Sequence, residues 1–95
     1  MKIRGEWKTR RVWIDDKELL PGPSQKFRNH SPDGFNWGYG GSGPAQLALA
    51  IMLAVTGKPD GYQDFKWEVI ATLPQDDFEI EIPEEVLKKI QTLIN

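Results

Sequence analysis

The sequence predicts an α+β fold. A mostly antiparallel sheet of four or five strands surrounds one buried helix, and an amphipathic helix closes the chain. Three observations predict it. Short stretches of alternating, β-forming residues lie near both ends. The run Pro44–Thr56 carries only Gln46 and Thr56 as polar residues, the pattern of a helix covered all round. After Pro83, apolar residues recur at helical spacing.

In chain order, residues 2–8 alternate as a first strand and Arg11-Val12-Trp13-Ile14 form a second. Asp15-Asp16-Lys17 is a turn, and Glu18-Leu19-Leu20 returns as a short third strand. Pro21-Gly22-Pro23-Ser24 ends it, because proline cannot feed a sheet ladder. Residues 24–43 lack periodicity and hold a dense set of turn formers, Asn29 to Gly34. Phe27, Phe35, Trp37 and Tyr39 argue that this long loop is ordered. Pro44 suits a first helical position, and Gly57 with Pro59 stops the helix. Tyr62–Lys66 reads as a helical turn or the start of a strand. Trp67, Val69, Ala71 and Leu73 alternate and favour a strand. Phe78, Ile80 and Ile82 give another. Glu84 and Glu85 open the last helix, where acids suit the dipole, and Val86, Leu87, Ile90, Leu93 and Ile94 form its apolar face.

At 95 residues the chain is expected to be one domain, 1–95. Twelve basic and fourteen acidic side chains leave a net charge of −2, which removes the electrostatic case for a nucleic-acid polymer as partner. Cysteine is absent, so disulfides, thiolate metal sites and cysteine nucleophiles are excluded. One histidine makes a histidine metal cluster improbable, and no metal or cofactor is expected. No apolar run is long enough to cross a bilayer, so a cytoplasmic location and no membrane partner are expected. The charge is uneven. Residues 1–30 carry eight basic and four acidic groups, residues 75–95 two basic and six acidic. Arg10, Arg11, Lys26 and Arg28 are thereby candidates to draw in a small anion.

Between Gly34 and Gly57 there is no charged residue, and five of the nine glycines fall between Gly34 and Gly43. Such a stretch is interior or contact surface. One small sheet covers a fully apolar helix poorly, so a homo-oligomer is expected; the alternative is that the aromatic loop folds over the helix.

The segment Trp37-Gly38-Tyr39-Gly40-Gly41-Ser42-Gly43-Pro44-Ala45-Gln46 formally matches G-x-G-x-x-G before a helix. The dinucleotide fingerprint also needs a feeding strand, and only a turn precedes it here. Pro44 and Ala45 stand where a phosphate-binding P-loop has Lys and Ser/Thr. What remains is a candidate anion nest made by Gly40, Gly41, Ser42 and the amides of Ala45 and Gln46. Trp37 or Tyr39 would stack on a flat ring, and Arg28, His30 and Lys66 would add charge. The competing reading is that the glycines only permit close packing. Ser31, Ser42, His30 and Asp33 or Asp64 contain the ingredients of a hydrolase triad, without a G-x-S-x-G elbow.

Three stretches carry a resemblance: Asn29–Phe35, Trp37–Ala50 and Tyr62–Lys66. There the sequence resembles a small family of uncharacterised domains from phages, archaea and bacteria. The resemblance implies no enzymatic role. A phage setting invites analogy with small phage proteins that act as sponges for host immune nucleotide signals. The leading expectation is therefore non-enzymatic binding of a small anionic, nucleotide-like ligand, cyclic or linear. An interaction or assembly protein, with the charge-free segment as subunit interface, is the alternative. A small hydrolase using His30 is a third.

Overall fold

The computed structural model describes residues 1–93, the last by its backbone alone. Strands β1 (Lys2–Glu6), β2 (Arg11–Ile14) and β3 (Lys17–Leu19) form an antiparallel meander. Helix α1 (Gly22–Phe27), helix α2 (Ser42–Thr56), helix α3 (Tyr62–Glu68) and a 3₁₀ turn (Ile70–Thr72) follow. Strand β4 (Phe78–Glu81) then pairs antiparallel with β1, and helix α4 (Glu84–Leu93) ends the described chain. The strand order β3-β2-β1-β4 makes β1 and β2 the inner strands. The α+β expectation holds, with four strands in the sheet.

Local chemistry explains the turns. Ile14 pairs with Lys17, leaving a two-residue loop in which Asp15 and Asp16 have φ of 48° and 66°. This left-handed pair is what a tight hairpin requires, and aspartate tolerates it. Residues 2–8 do not all remain in the strand. Trp7 to Arg10 turn back, Arg10 takes φ 63°, and its N–H donates to the Glu6 carbonyl at 2.8 Å.

One sheet face is apolar and one polar. Leu19, Val12, Gly5 and Phe78 form a row across all four strands toward the helices. Glu18, Trp13, Arg4 and Glu79 form the opposite row. On that face Trp13 lies between the Arg4 and Arg11 guanidiniums, 4.2 and 5.0 Å from its centroid. The core joins Ile3 and Val12 to Trp37, Leu47, Ile51, Phe65 and Leu87.

Helix α2 is buried without break from Gly43 to Met52. Helices α1, α3 and α4 and strand β3 pack on it, and Phe35 and Trp37 of the preceding loop join its core. Cover for α2 is thus supplied within the chain by helices, β3 and the aromatic loop together. Gly57 closes α2 in the left-handed region at φ 76°.

Two local expectations are corrected. Residues 67–73 are no strand: they hold the end of α3 and the 3₁₀ turn. Tyr62, Phe65 and Val69 follow a helical spacing toward the core, Phe65 and Ile70 are fully buried, and Trp67 is 58 % exposed. Alternation over so few residues fitted both periods. Pro21 to Ser24 do not merely end β3; they open α1, since proline is accepted in a first helical turn. The Leu93 side chain and Ile94, expected on the apolar face of α4, lie outside the described residues. No described helix is long and apolar enough to cross a membrane.

Candidate functional site

Gln46 organises the site. Its side chain is fully buried at the start of α2. Its Oε1 accepts from the backbone N–H of His30 (2.8 Å) and Ser31 (3.0 Å). Its Nε2 donates to Ser24 Oγ (2.9 Å) and to the Arg28 carbonyl (3.2 Å). Two donors and two acceptors saturate a carboxamide. The segment 28–31 is thereby clamped onto α2, and Gln46 has no valence left for a ligand.

The clamp sets His30 beside α3. His30 Nε2 lies 2.8 Å from the Tyr62 hydroxyl. Burial holds the imidazole below its ordinary pKa, and the positive charges of Arg28 and then Lys66 push it further down. Three cationic or potentially cationic groups therefore share one patch. Lys66 follows Tyr62 by one turn of α3, on the same side. Its residue is only 8 % exposed, and its Nζ sits 4.2 Å from the centroid of the Trp67 ring. Among the described residues no carboxylate pairs with Lys66 or Arg28.

The glycine loop borders this patch. Gly38, with φ 82°, donates its N–H to the Ile70 carbonyl at 3.0 Å and accepts from Gln75 Nε2 at 3.2 Å. Gly40 lies under the Trp67 indole and Gly41 under the Tyr39 ring, each too close for a side chain. The glycines therefore do serve close packing. The Ala45 N–H is already used, bonding the Gly41 carbonyl at 3.2 Å, and that of Gln46 lies within the helical ladder. The amides of Gly40, Gly41, Ser42 and Gly43 donate to no acceptor among the described residues, as is usual for the first N–H groups of a helix; of these residues Ser42 is exposed and Gly43 buried.

The expected site residues divide accordingly. Arg28, His30 and Lys66 come together, with Tyr39, Gly40, Gly41 and Ser42 along the adjoining helix start. Trp37 stands apart: it is fully buried, its Nε1 donates to the Asp76 carbonyl at 2.9 Å, and it packs edge-on against Trp7 and Phe78. It offers no face to a guest. Arg10 is engaged by the Trp7 ring, 3.4 Å away, and by Asn36 Oδ1, and Arg11 is paired with Glu18. Two residues were missed. Tyr62 touches His30, and Trp67 is the exposed ring beside Gly40. Their spacing to Lys66 on one helix is the available signal, which the strand-like alternation of residues 67–73 conceals. His30 bonds Tyr62 where a triad would need Ser31 or Ser42. No group of three or more metal-ligating side chains occurs among the described residues.

A family model described as "Family of unknown function (DUF6166)" matches residues 3–92. No curated protein and no solved structure matches the chain.

Proposed function

The chain belongs to that family of unknown function, and from this premise we propose that it binds a small anionic, nucleotide-like ligand without turning it over. One observation carries the proposal: the near-buried Lys66 has no carboxylate partner among the described residues, lies one turn of α3 from the Tyr62 that bonds His30, and holds its Nζ against the Trp67 ring that covers Gly40 just before α2. Arg28 and Lys66 hold His30 below its ordinary pKa, and Lys66 has no counter-charge of its own among the described residues. An anion relieves both. The Ser42 amide, on an exposed residue at the helix start, adds a donor along an axis that favours negative charge. Tyr39 and Trp67 are the exposed rings beside the patch, 42 % and 58 % exposed, and take the stacking role expected of Trp37. A ligand held without turnover is withdrawn from solution, which is the action of a nucleotide sponge.

Thermal melts and calorimetry with inorganic phosphate, pyrophosphate and cyclic nucleotides test this. Ligand at a hundredfold excess over Kd stabilises by about 2.7 kcal/mol, a melting shift of many degrees for a domain this size. Lys66→Met keeps the buried stem and removes the charge, and its affinity should fall by about tenfold or more. Absence of a shift with every anion, or unchanged binding by Lys66→Met, would remove the proposal.

A further inference from the structure

Beside the cationic patch lies a cleft of about 370 Å³ between the end of α1 and the entry to α3. Phe27, Arg28, Pro59, Asp60, Tyr62 and Asp64 border it. We propose that this cleft receives the uncharged part of the ligand, a flat or sugar-like group bearing hydroxyl or amino donors, so that the whole ligand is a nucleoside monophosphate. The inference rests on the anion reading above and assigns the neighbouring volume.

Continuity is the first argument. Tyr62 belongs to both places: its hydroxyl bonds His30, and its ring borders the cleft. Arg28 also belongs to both, acting on His30 and bordering the cleft. A molecule seated at His30 and Lys66 therefore extends past Tyr62 into the cleft. The volume lies within the range of small-molecule sites, and a bare phosphate does not fill it.

The walls give the chemistry. Phe27 is 58 % exposed, a large ring left uncovered at the end of α1. With Pro59 and the Tyr62 ring it makes an apolar wall suited to the face of a base. Asp60 and Asp64 are exposed carboxylates with no ion pair among the described residues, although Arg28 borders the same cleft. Carboxylates are acceptors only. They suit ribose hydroxyls or an exocyclic amine, and they repel a second phosphate. The site is cationic at one end and acceptor-rich at the other, which is the reverse image of a nucleoside monophosphate.

Calorimetry of the full chain with inorganic phosphate, ribose 5-phosphate, AMP and GMP decides it. At least one of the two nucleotides should bind about tenfold or more tighter than phosphate. Phe27→Ala and Asp64→Asn change exposed side chains. Each should remove most of that advantage while leaving phosphate binding in place, and circular dichroism should show both variants folded. Lys66→Met should weaken all four compounds. If phosphate binds and neither nucleotide gains over it, or if Phe27→Ala and Asp64→Asn keep the gain, the cleft assignment is overturned and the anion site stands. If none of the four compounds binds, both fail together.

Discussion

The ring of Phe78 fills the space where Gly5 would carry a side chain. The two residues are register partners on β1 and β4, and a methyl group on Gly5 would lie 2.2 Å from the Phe78 ring. The aromatic ring covers the glycine it faces, a known device for restoring a sheet weakened by glycine. Phe78 also meets the Trp37 ring edge-on at 4.9 Å, so the contact links the sheet to the loop before α2.

Gly5→Ala should therefore destabilise the protein by about 1–3 kcal/mol through overpacking. Chemical denaturation measures it. Gly5→Ala combined with Phe78→Leu should cost less than the two single changes added together, because both act on one contact. Strict additivity would show that the ring does not limit the site.

Gln46→Leu tests the clamp. It removes the acceptor for two backbone N–H groups and the donor to Ser24 and Arg28. Leaving a fully buried polar group unpaired costs about 1–3 kcal/mol, and because three of these four bonds are only partly buried and water can replace them in part, a total loss of roughly 2–4 kcal/mol is expected. Hydrogen exchange at His30 and Ser31 should accelerate more than exchange in β1 and β2.

Two glycines of one loop should respond differently to alanine. Gly38 has φ 82° and has the Leu73 carbonyl oxygen 2.9 Å from a would-be methyl group. Backbone strain and a backbone clash together should cost about 1–3 kcal/mol. The nearest atoms to a side chain on Gly40 belong to the ring of exposed Trp67, which can swing aside. Gly40→Ala should cost less than about 1 kcal/mol, as a surface change does, while altering Trp67 fluorescence.

The pH dependence of stability has a definite sign at His30. Its folded pKa lies below the ordinary value, so the unfolded chain binds the proton more readily. His30 therefore opposes folding as pH falls below about 6.5, the unfolded histidine value. Stability should rise with pH through that region, and His30→Gln should flatten the rise. A cyclic phosphodiester, whose charge is fixed there, should bind more tightly as pH falls, since protonated His30 gains an anionic neighbour.

Much of this was legible from residue pattern. The all-apolar run after Pro44 announced a covered helix, and the alternation at Phe78, Ile80 and Ile82 announced β4. The failures share a cause. Trp67, Val69, Ala71 and Leu73 alternate because a helix end and a 3₁₀ turn together mimic a strand over seven residues. Burial decides between them, and burial depends on distant partners such as α2. Gln46 is one of two polar residues in the run Pro44–Thr56, and the sequence pattern offers its backbone amide to a ligand nest without revealing the role of its side chain. A fully buried carboxamide has to find its partners inside, and the nearest are the amides of the turn-forming segment upstream. Trp37 was legible as an important ring, yet its seclusion follows from Trp7 and Phe78, which reach it only after the sheet has closed.

The sheet places the latest strand beside the earliest. Strands β1, β2 and β3 pair locally, while the second edge of β1 is covered only by β4, which lies far along the sequence beyond all of α1, α2 and α3. Until β4 docks, Gly5 is bare and the ribbon presents unpaired amides that a neighbouring polypeptide can capture. Nonlocal closure of that kind is slow, and it prolongs the interval in which the edge lies uncovered.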